Sequence, residues 1–331
     1  MTKIAVYQVR EEELPIVEKW SKDNNVEVKI IDGQITPENV HLAKGFDGVT
    51  TSQNMKVPAE VYEKLHEYGI KQIAQRSAGF DYYDLEEATK NDIIISNVPV
   101  YSPESIAEFV LTQALMLIRK VREIEEKTNE RDFRWQPAIR GGLLGEMTVG
   151  VIGTGHIGRV TAQLFKGFGA KVIGYDLYPN EEATKYLEYK DSVEELVKEA
   201  DVVTLHVPAT ADNYHQFDYE MFKHFKPSAY LINNARGSVV DTEGLIKALD
   251  EGLLAGAALD TYENEGSYVP ADNRETGIKD ELFQRLLDHP KVLYTPHIAF
   301  YTNVSVRNIM NIGLDSTLEV IKTGDTKNRV N

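Results

Sequence analysis

Within residues 148 to 176, Thr148-Val149-Gly150-Val151-Ile152 is followed by Gly153-Thr154-Gly155-His156-Ile157-Gly158 and then by Lys171-Val172-Ile173-Gly174-Tyr175-Asp176. The order is strand, glycine turn, helix, and a second strand ending in an acid. Gly153 permits the tight turn after the strand, Gly155 lets the backbone come close to a pyrophosphate, and Gly158 lets the helix pack on the sheet. A pyrophosphate then sits at the positive end of that helix. Asp176, eighteen residues beyond Gly158, stands where a carboxylate can accept hydrogen bonds from both adenosine ribose hydroxyls. It would repel a 2′-phosphate, so the expected cofactor is NAD rather than NADP.

Outward from that stretch, 331 residues exceed the usual size of one domain, and 42% apolar content can fill more than one core. Two domains are expected. The chain has no cysteine, which excludes disulfides, thiolate nucleophiles and cysteine-ligated zinc. A net charge of −16 without an acidic tail argues against nucleic acid and anionic membrane as partners. Met1-Thr2-Lys3-Ile4-Ala5-Val6-Tyr7 enters a strand with no charged-then-apolar leader, and no apolar run approaches the ~20 residues of a membrane span. A soluble, cytoplasmic protein is expected.

Short apolar runs at Ile4 to Tyr7, Val26 to Ile31, Gly48 to Thr51, Ile70 to Ala74 and Ile93 to Ser96 read as strands alternating with helices. Alternation of this kind gives a parallel sheet covered by helices. The glycine turn comes only at residue 153, so these strands belong to a separate α/β domain. Asn97-Val98-Pro99-Val100-Tyr101-Ser102-Pro103 reads as the crossing point, with Ser102 as N-cap and Pro103 in the first turn of a helix. That helix is apolar on most of its circumference from Ile106 to Ile118 and needs burial on several sides. After Asp176, strands are expected at Val202 to Val207, Ala229 to Asn233, Ala255 to Leu259 and Val292 to Tyr294. A last amphipathic stretch, Val304 to Thr323, is expected to return to the first domain. Tyr262 to Lys279 is a long irregular segment, and such loops are usually functional or mobile.

In an open α/β sheet the ligand crevice lies outside the carboxyl ends of the strands. Arg236, Glu265 and His297 follow three such ends. A guanidinium, a carboxylate and an imidazole beside a nicotinamide are what reduction of a 2-oxo acid requires. Arg236 can grip the substrate carboxylate with two prongs and polarise the ketone. His297 is the candidate acid for the oxygen that gains charge as hydride arrives. A neighbouring carboxylate favours the charged imidazole, and Glu265 is the candidate for that partner. His206 is the rival acid, and His156 reads as a contact residue in the phosphate turn. No histidine pair stands at metal spacing with a nearby acid, and no serine sits in an elbow motif; no metal is expected.

The runs 97–103, 153–158, Asn234-Ala235-Arg236-Gly237, Asp260-Thr261-Tyr262-Glu263-Asn264-Glu265 and Thr295-Pro296-His297-Ile298-Ala299-Phe300-Tyr301 resemble the NAD-dependent D-2-hydroxyacid dehydrogenases over almost the whole chain. The resemblance implies two Rossmann-like or flavodoxin-like domains with parallel sheets. A discontinuous substrate domain, residues 1–101 and 299–331, would clasp an inserted NAD-binding domain, residues 102–298, with a homodimer built largely from the nucleotide domains. It carries over Arg236, Glu265 and His297 as the catalytic set. It places Tyr101 near the substrate and gives the backbone amides of Ala78 and Gly79 to its carboxylate. Gly153, Gly155, His156, Ile157, Gly158, Asp176, Val207, Pro208, Asn213, Asn234, Ala235, Arg236 and Asp260 match cofactor contacts. The implied reaction is reduction of pyruvate to D-lactate by NADH, with longer 2-oxo acids as the alternative. That alternative rests on Ser52, where the family often has a bulky side chain lining the substrate pocket; Phe300 and Tyr301 are candidates to refill the space. A third expectation, an NAD(H)-sensing binding module on the same fold, lacks any disordered or proline-rich extension to support it.

Overall fold

The runs without polar alternation become the central strands of two sheets. In the computed structural model, which describes residues 1–331, Gly48–Thr51, Val202–Leu205, Tyr230–Asn233 and Gly256–Leu259 are buried at every position, as parallel strands covered on both faces must be. In chain order the strands are β1 (Lys3–Tyr7), β2 (Glu27–Ile31), β3 (Gly48–Thr51), β4 (Gln72–Gln75), β5 (Ile94–Ser96), β6 (Thr148–Ile152), β7 (Lys171–Tyr175), β8 (Glu188–Tyr189), β9 (Val202–Leu205), β10 (Tyr230–Asn233), β11 (Gly256–Leu259) and β12 (Val292–Tyr294). The helices are α1 (Leu14–Asn24), α2 (Ala59–Glu67), α3 (Leu85–Lys90), α4 (Pro103–Ile118), α5 (Val121–Asn129), α6 (His156–Gly167), α7 (Val193–Glu199), α8 (Tyr219–Phe222), α9 (Thr242–Asp250), α10 (Glu281–Asp288) and α11 (Asn303–Thr323).

The chain divides into two compact units, Met1–Ser102 with Tyr301–Asn331, and Pro103–Phe300. In the first, five parallel strands run in the order β2-β1-β3-β4-β5. The strand order reverses between β1 and β3, which opens a crevice beyond their carboxyl ends. Helix α11 starts under a Thr302 cap whose hydroxyl accepts from Ser305 N–H and ends at Gly324 in the left-handed region. Its Met310, Leu314 and Leu318 close a core with Ile4, Val6, Val17 and Trp20.

In the second unit seven parallel strands run β12-β11-β10-β9-β6-β7-β8. Here the reversal falls between β6 and β9, so the glycine turn after β6 stands at the switch point. Two parallel-sheet α/β domains are thus the observed fold class, as the sequence predicts. Helix α4 begins at Pro103 and buries Ile106, Ala107, Val110, Leu111, Ala114 and Ile118, packing chiefly on α6 with further contact to β10 and β11.

One strand is shorter than its apolar run. The expected strand Val202 to Val207 ends at Leu205, because its partner β6 ends at Ile152 and His206 N–H makes the last bond, 2.7 Å to the Ile152 carbonyl. Val207 therefore lies in the loop beyond. Edge strand β8, two residues long, has no run to announce it. Helix α5 has no buried residue at all, and the segment after it carries Phe133, Trp135 and Leu143 exposed to solvent.

Candidate active site

The turn after β6 is shaped by contacts that exclude side chains. Gly153 sits at φ +87°, and a Cβ there would lie 2.5 Å from the His206 carbonyl oxygen; one on Gly158 would lie 1.9 Å from the Gly153 oxygen. The turn is thus wedged against β9 on one side and its own helix on the other. A Cβ on Gly155 would meet nothing within 4 Å, so the space over the start of α6 is open. His156 and Ile157 form the first positions of that helix, with His156 exposed. At the end of β7 the Asp176 carboxylate accepts from Thr154 N–H at 2.6 Å and Thr154 Oγ1 at 2.9 Å.

Beyond β9, Val207 and Pro208 begin a loop that Asn213 folds onto itself. Its Oδ1 accepts from Thr210 N–H at 2.8 Å and its amide donates to the Pro208 carbonyl at 2.7 Å. Beyond β10, Asn233 ties the next turn by accepting from Ala235 N–H and donating to the Arg236 carbonyl. Asn234 buries both polar atoms of its amide without a protein partner. Unpaired buried amides are costly, and a ligand carrying its own donors and acceptors relieves that cost. The open space at Gly155, the acid at the end of β7 and the unpaired Asn234 fit a dinucleotide lying across the carboxyl ends of β6, β7, β9 and β10.

Arg236 is half-buried; its guanidinium donates to the Ala235 carbonyl at 2.9 Å and pairs with no carboxylate of the chain. The next residue fixes where it stands. A Cβ on Gly237 would lie 2.2 Å from the Tyr262 carbonyl carbon and 2.3 Å from Glu263 N. The Arg236 turn is therefore pressed directly on the backbone that leads to Glu265. Glu265 Oε2 accepts from Tyr262 N–H at 2.9 Å, and Oε1 stands 2.5 Å from His297 Nδ1. A carboxylate only accepts, so Nδ1 carries the proton and Nε2 is the nitrogen left to exchange one. His297 is 42% exposed and Glu265 17%. His297 holds a left-handed backbone, φ +51°, where its N–H donates to the Asp260 carbonyl at 2.7 Å. Strain of that kind persists where surroundings over-determine it.

Those surroundings are Asp260. Its side-chain oxygens accept from Thr295 Oγ1 at 2.5 Å, Ile298 N–H at 3.0 Å and Ala299 N–H at 2.8 Å. Burial pushes this carboxyl up, while those donors pull it back. Asp260 thus fastens the segment that presents His297. His206 has no carboxylate neighbour; its Nε2 lies 3.1 Å from Thr204 Oγ1, and desolvation pushes it down to about 3.

Several neighbours escaped the sequence reading. His215 Nε2 meets Glu263 Oε2 at 2.9 Å, a second imidazole–carboxylate pair two residues upstream of the first. His215 is also left-handed, φ +51°, and its N–H donates to the Ser238 carbonyl at 2.8 Å. The pair fastens the loop after β9 to both the Gly237 turn and the Glu265 segment. Glu263 and Glu265 have equal standing as letters; only the fold separates them.

In the first unit, Ser52 follows β3, Ala78 and Gly79 follow β4, and Tyr101 follows β5. The Ala78 carbonyl accepts from Asn97 Nδ2 at 2.7 Å and that of Gly79 from Ser77 Oγ at 2.6 Å. Both carbonyls of this turn are thus tied back by side-chain donors. Asn308 donates to the Tyr101 carbonyl at 2.6 Å. Tyr301 donates its hydroxyl to Glu12, and Arg10 lies 5.3 Å over its ring. Phe300 is half-buried at the end of the second unit.

Residues 111–299 match the NAD-binding domain of the D-isomer specific 2-hydroxyacid dehydrogenases. Over 329 residues, 99% of this chain and 100% of the relative, the sequence is 52% identical to a D-lactate dehydrogenase of Streptococcus pyogenes serotype M1. Among solved structures, a D-lactate dehydrogenase from Treponema pallidum superposes with a TM-score of 0.93 at 41% identity, covering 100% of both chains. A D-2-hydroxyisocaproate dehydrogenase gives the same TM-score at 39% identity, covering 99% of each. With the strand-end residues and the nucleotide turn in place, the chain belongs to the D-isomer specific 2-hydroxyacid dehydrogenase family and is an NAD-dependent oxidoreductase.

Proposed function

We propose that this chain is a D-lactate dehydrogenase that reduces pyruvate reversibly with NADH. The observation that carries the reading is the 2.5 Å contact of Glu265 with His297 Nδ1, on a loop pressed against the Arg236 turn. NADH, when bound, supplies the hydride. Arg236 grips the substrate carboxylate in two-pronged fashion and draws electron density from the ketone. Hydride adds to the carbonyl carbon, the π pair moves to oxygen, and that oxygen takes the proton from His297 Nε2. Glu265 holds the other ring proton and balances the charge on the imidazolium. In lactate oxidation the same nitrogen is the base.

In this reading residues 1–101 and 299–331 form the substrate domain and 102–298 the NAD-binding domain. The amides of Ala78 and Gly79, with Tyr101, are assigned to the substrate side of the first unit. Gly153, Gly155, His156, Ile157, Gly158, Val207, Pro208, Asn213, Asn234, Ala235 and Asp260 are assigned to the cofactor side, with Asp260 acting through the His297 segment. The working assembly is a homodimer. Phe133 and Trp135, 70% and 98% exposed, lie in the segment after α5 and offer an apolar face that a second copy would cover. No helix is long and apolar enough to cross a membrane, and dependence on NADH supports a cytoplasmic setting.

A second reading keeps the chemistry and lengthens the substrate. Ser52 is small and half-buried, and Tyr301 is held by Glu12 and Arg10, which favours room for a branched or aromatic tail. Initial rates of NADH oxidation with pyruvate, 2-oxoisocaproate and phenylpyruvate, compared as kcat/KM, decide between them. Preference for pyruvate is expected. Preference for the larger acids moves the assignment to a D-2-hydroxyisocaproate-like enzyme, and no turnover with any of them removes the dehydrogenase reading in favour of an NAD(H)-sensing module.

A further inference from the structure

Asp176 is held by more than its place at the end of β7. Oδ2 accepts from Thr154 N–H at 2.6 Å and from Thr154 Oγ1 at 2.9 Å, and Oδ1 accepts from Tyr178 N–H at 2.9 Å. The Thr154 hydroxyl has one proton, and the carboxylate can only accept it. Its oxygen must therefore accept from Tyr189 Oη, 2.7 Å away. With its own proton committed, Tyr189 Oη in turn accepts from Asn180 N–H at 2.9 Å. The 3.4 Å alternative from Tyr189 to the Asn180 carbonyl is too long to compete. Every bond in this chain has a direction, running from Asn180 through Tyr189 and Thr154 to Asp176. Thr154 is 1% exposed, and Tyr189 is registered opposite Gly174 on β7, so one middle residue of the chain is held by burial and the other by the sheet.

A carboxylate has about four acceptor positions, and three are filled by the protein. The fourth, on Oδ1, is left for a ligand. We propose that Tyr189 is a positioning residue for cofactor selection. Through Thr154 it locks Asp176 in one orientation, so that the carboxylate cannot swing aside to admit a 2′-phosphate. The proposal rests on NAD binding alone and is independent of which 2-oxo acid is reduced.

The test is equilibrium binding. Dissociation constants for NADH and NADPH are measured by nucleotide fluorescence on wild type, Y189F, T154V and the double variant, with Tm recorded for each. Phenylalanine keeps the ring in the sheet, and valine keeps the buried volume of threonine. Expected is a ~3- to 10-fold loss of NADH affinity in Y189F, the range of one hydrogen bond, with a narrowed NADPH-to-NADH ratio and Tm little changed. T154V should lose at least as much. The double variant should be no worse than T154V, because residues acting through one chain are not additive, and T154S should restore the ratio. Equal weakening of both nucleotides by Y189F, an unchanged ratio, or a wild type that binds NADPH as tightly as NADH each overturns the proposal.

Discussion

His206 and His297 both stand just beyond a strand of the same sheet, and the fold gives them opposite chemistry. His297 has Glu265 on Nδ1 and a side chain 42% exposed. His206 has a hydroxyl for company and is pushed down to about 3 by desolvation. An imidazole that stays neutral throughout the working range is a poor proton donor but a well-behaved wall. A strand-end position therefore nominates a candidate histidine, and the carboxylate partner separates one candidate from the other.

The comparison breaks most directly at His297. In the reaction proposed above, His297→Gln should lower kcat for ketone reduction by ~10²- to 10⁴-fold, the usual range for a general acid; a loss under tenfold would move the proton source elsewhere. Glu265→Gln comes next, at roughly 10²-fold in kcat, because an amide can face Nδ1 with a donor and favour the wrong tautomer. Stopped-flow single turnovers separate that loss from product release, and an unchanged chemical step would remove Glu265 from the set. Gly237→Ala places a methyl 2.2 Å from the Tyr262 carbonyl carbon. It should lower stability by about 1–3 kcal/mol and reduce kcat while leaving NADH affinity near wild type. Full activity in that variant would mean that the Arg236 turn need not press on the Glu265 loop.

His206 supplies the smallest effect and the one tied to pH. Its folded state resists protonation down to about 3, whereas an unfolded imidazole takes a proton near ~6.5. The stability it contributes is full above the unfolded value and is lost as pH falls below it, by at most about 2 kcal/mol at pH 5. His206→Gln should therefore flatten the decline of Tm between pH 7 and 5 while changing kcat only a few-fold. Parallel Tm curves for variant and wild type would show that His206 is not shielded as described.

The two sheets were legible because buried parallel strands write themselves as unbroken apolar runs. Val207 was drawn into a strand by its apolar side chain, since the run cannot show that β6 has already ended opposite. Strand β8 is too short to leave a pattern. At the site, the sequence points to strand ends and so to Arg236, Asp176 and His297 as positions. Apart from Glu265, which the sequence offers as the carboxylate beside His297, pairings are not legible, because they join residues that only folding brings together. Thr154 and Tyr189 are 35 residues apart, and His215 and Glu263 are 48 apart. The packing of Gly237 on Tyr262 is of the same kind: a glycine in a turn looks alike whether it faces solvent or a second loop.

The chain has two tryptophans, and the fold puts them in contrasting surroundings. Trp20 is buried in the first unit, its indole N–H donating to Asp315 at 2.7 Å, while Trp135 stands 98% exposed on the segment after α5. The native protein thus contains two intrinsic optical probes. Red-edge emission and quenching by iodide should belong to Trp135 and fade on dilution-reversible association, while the blue component should report melting of the smaller unit. With W135F, self-association and unfolding become separately readable in one cuvette, without any label.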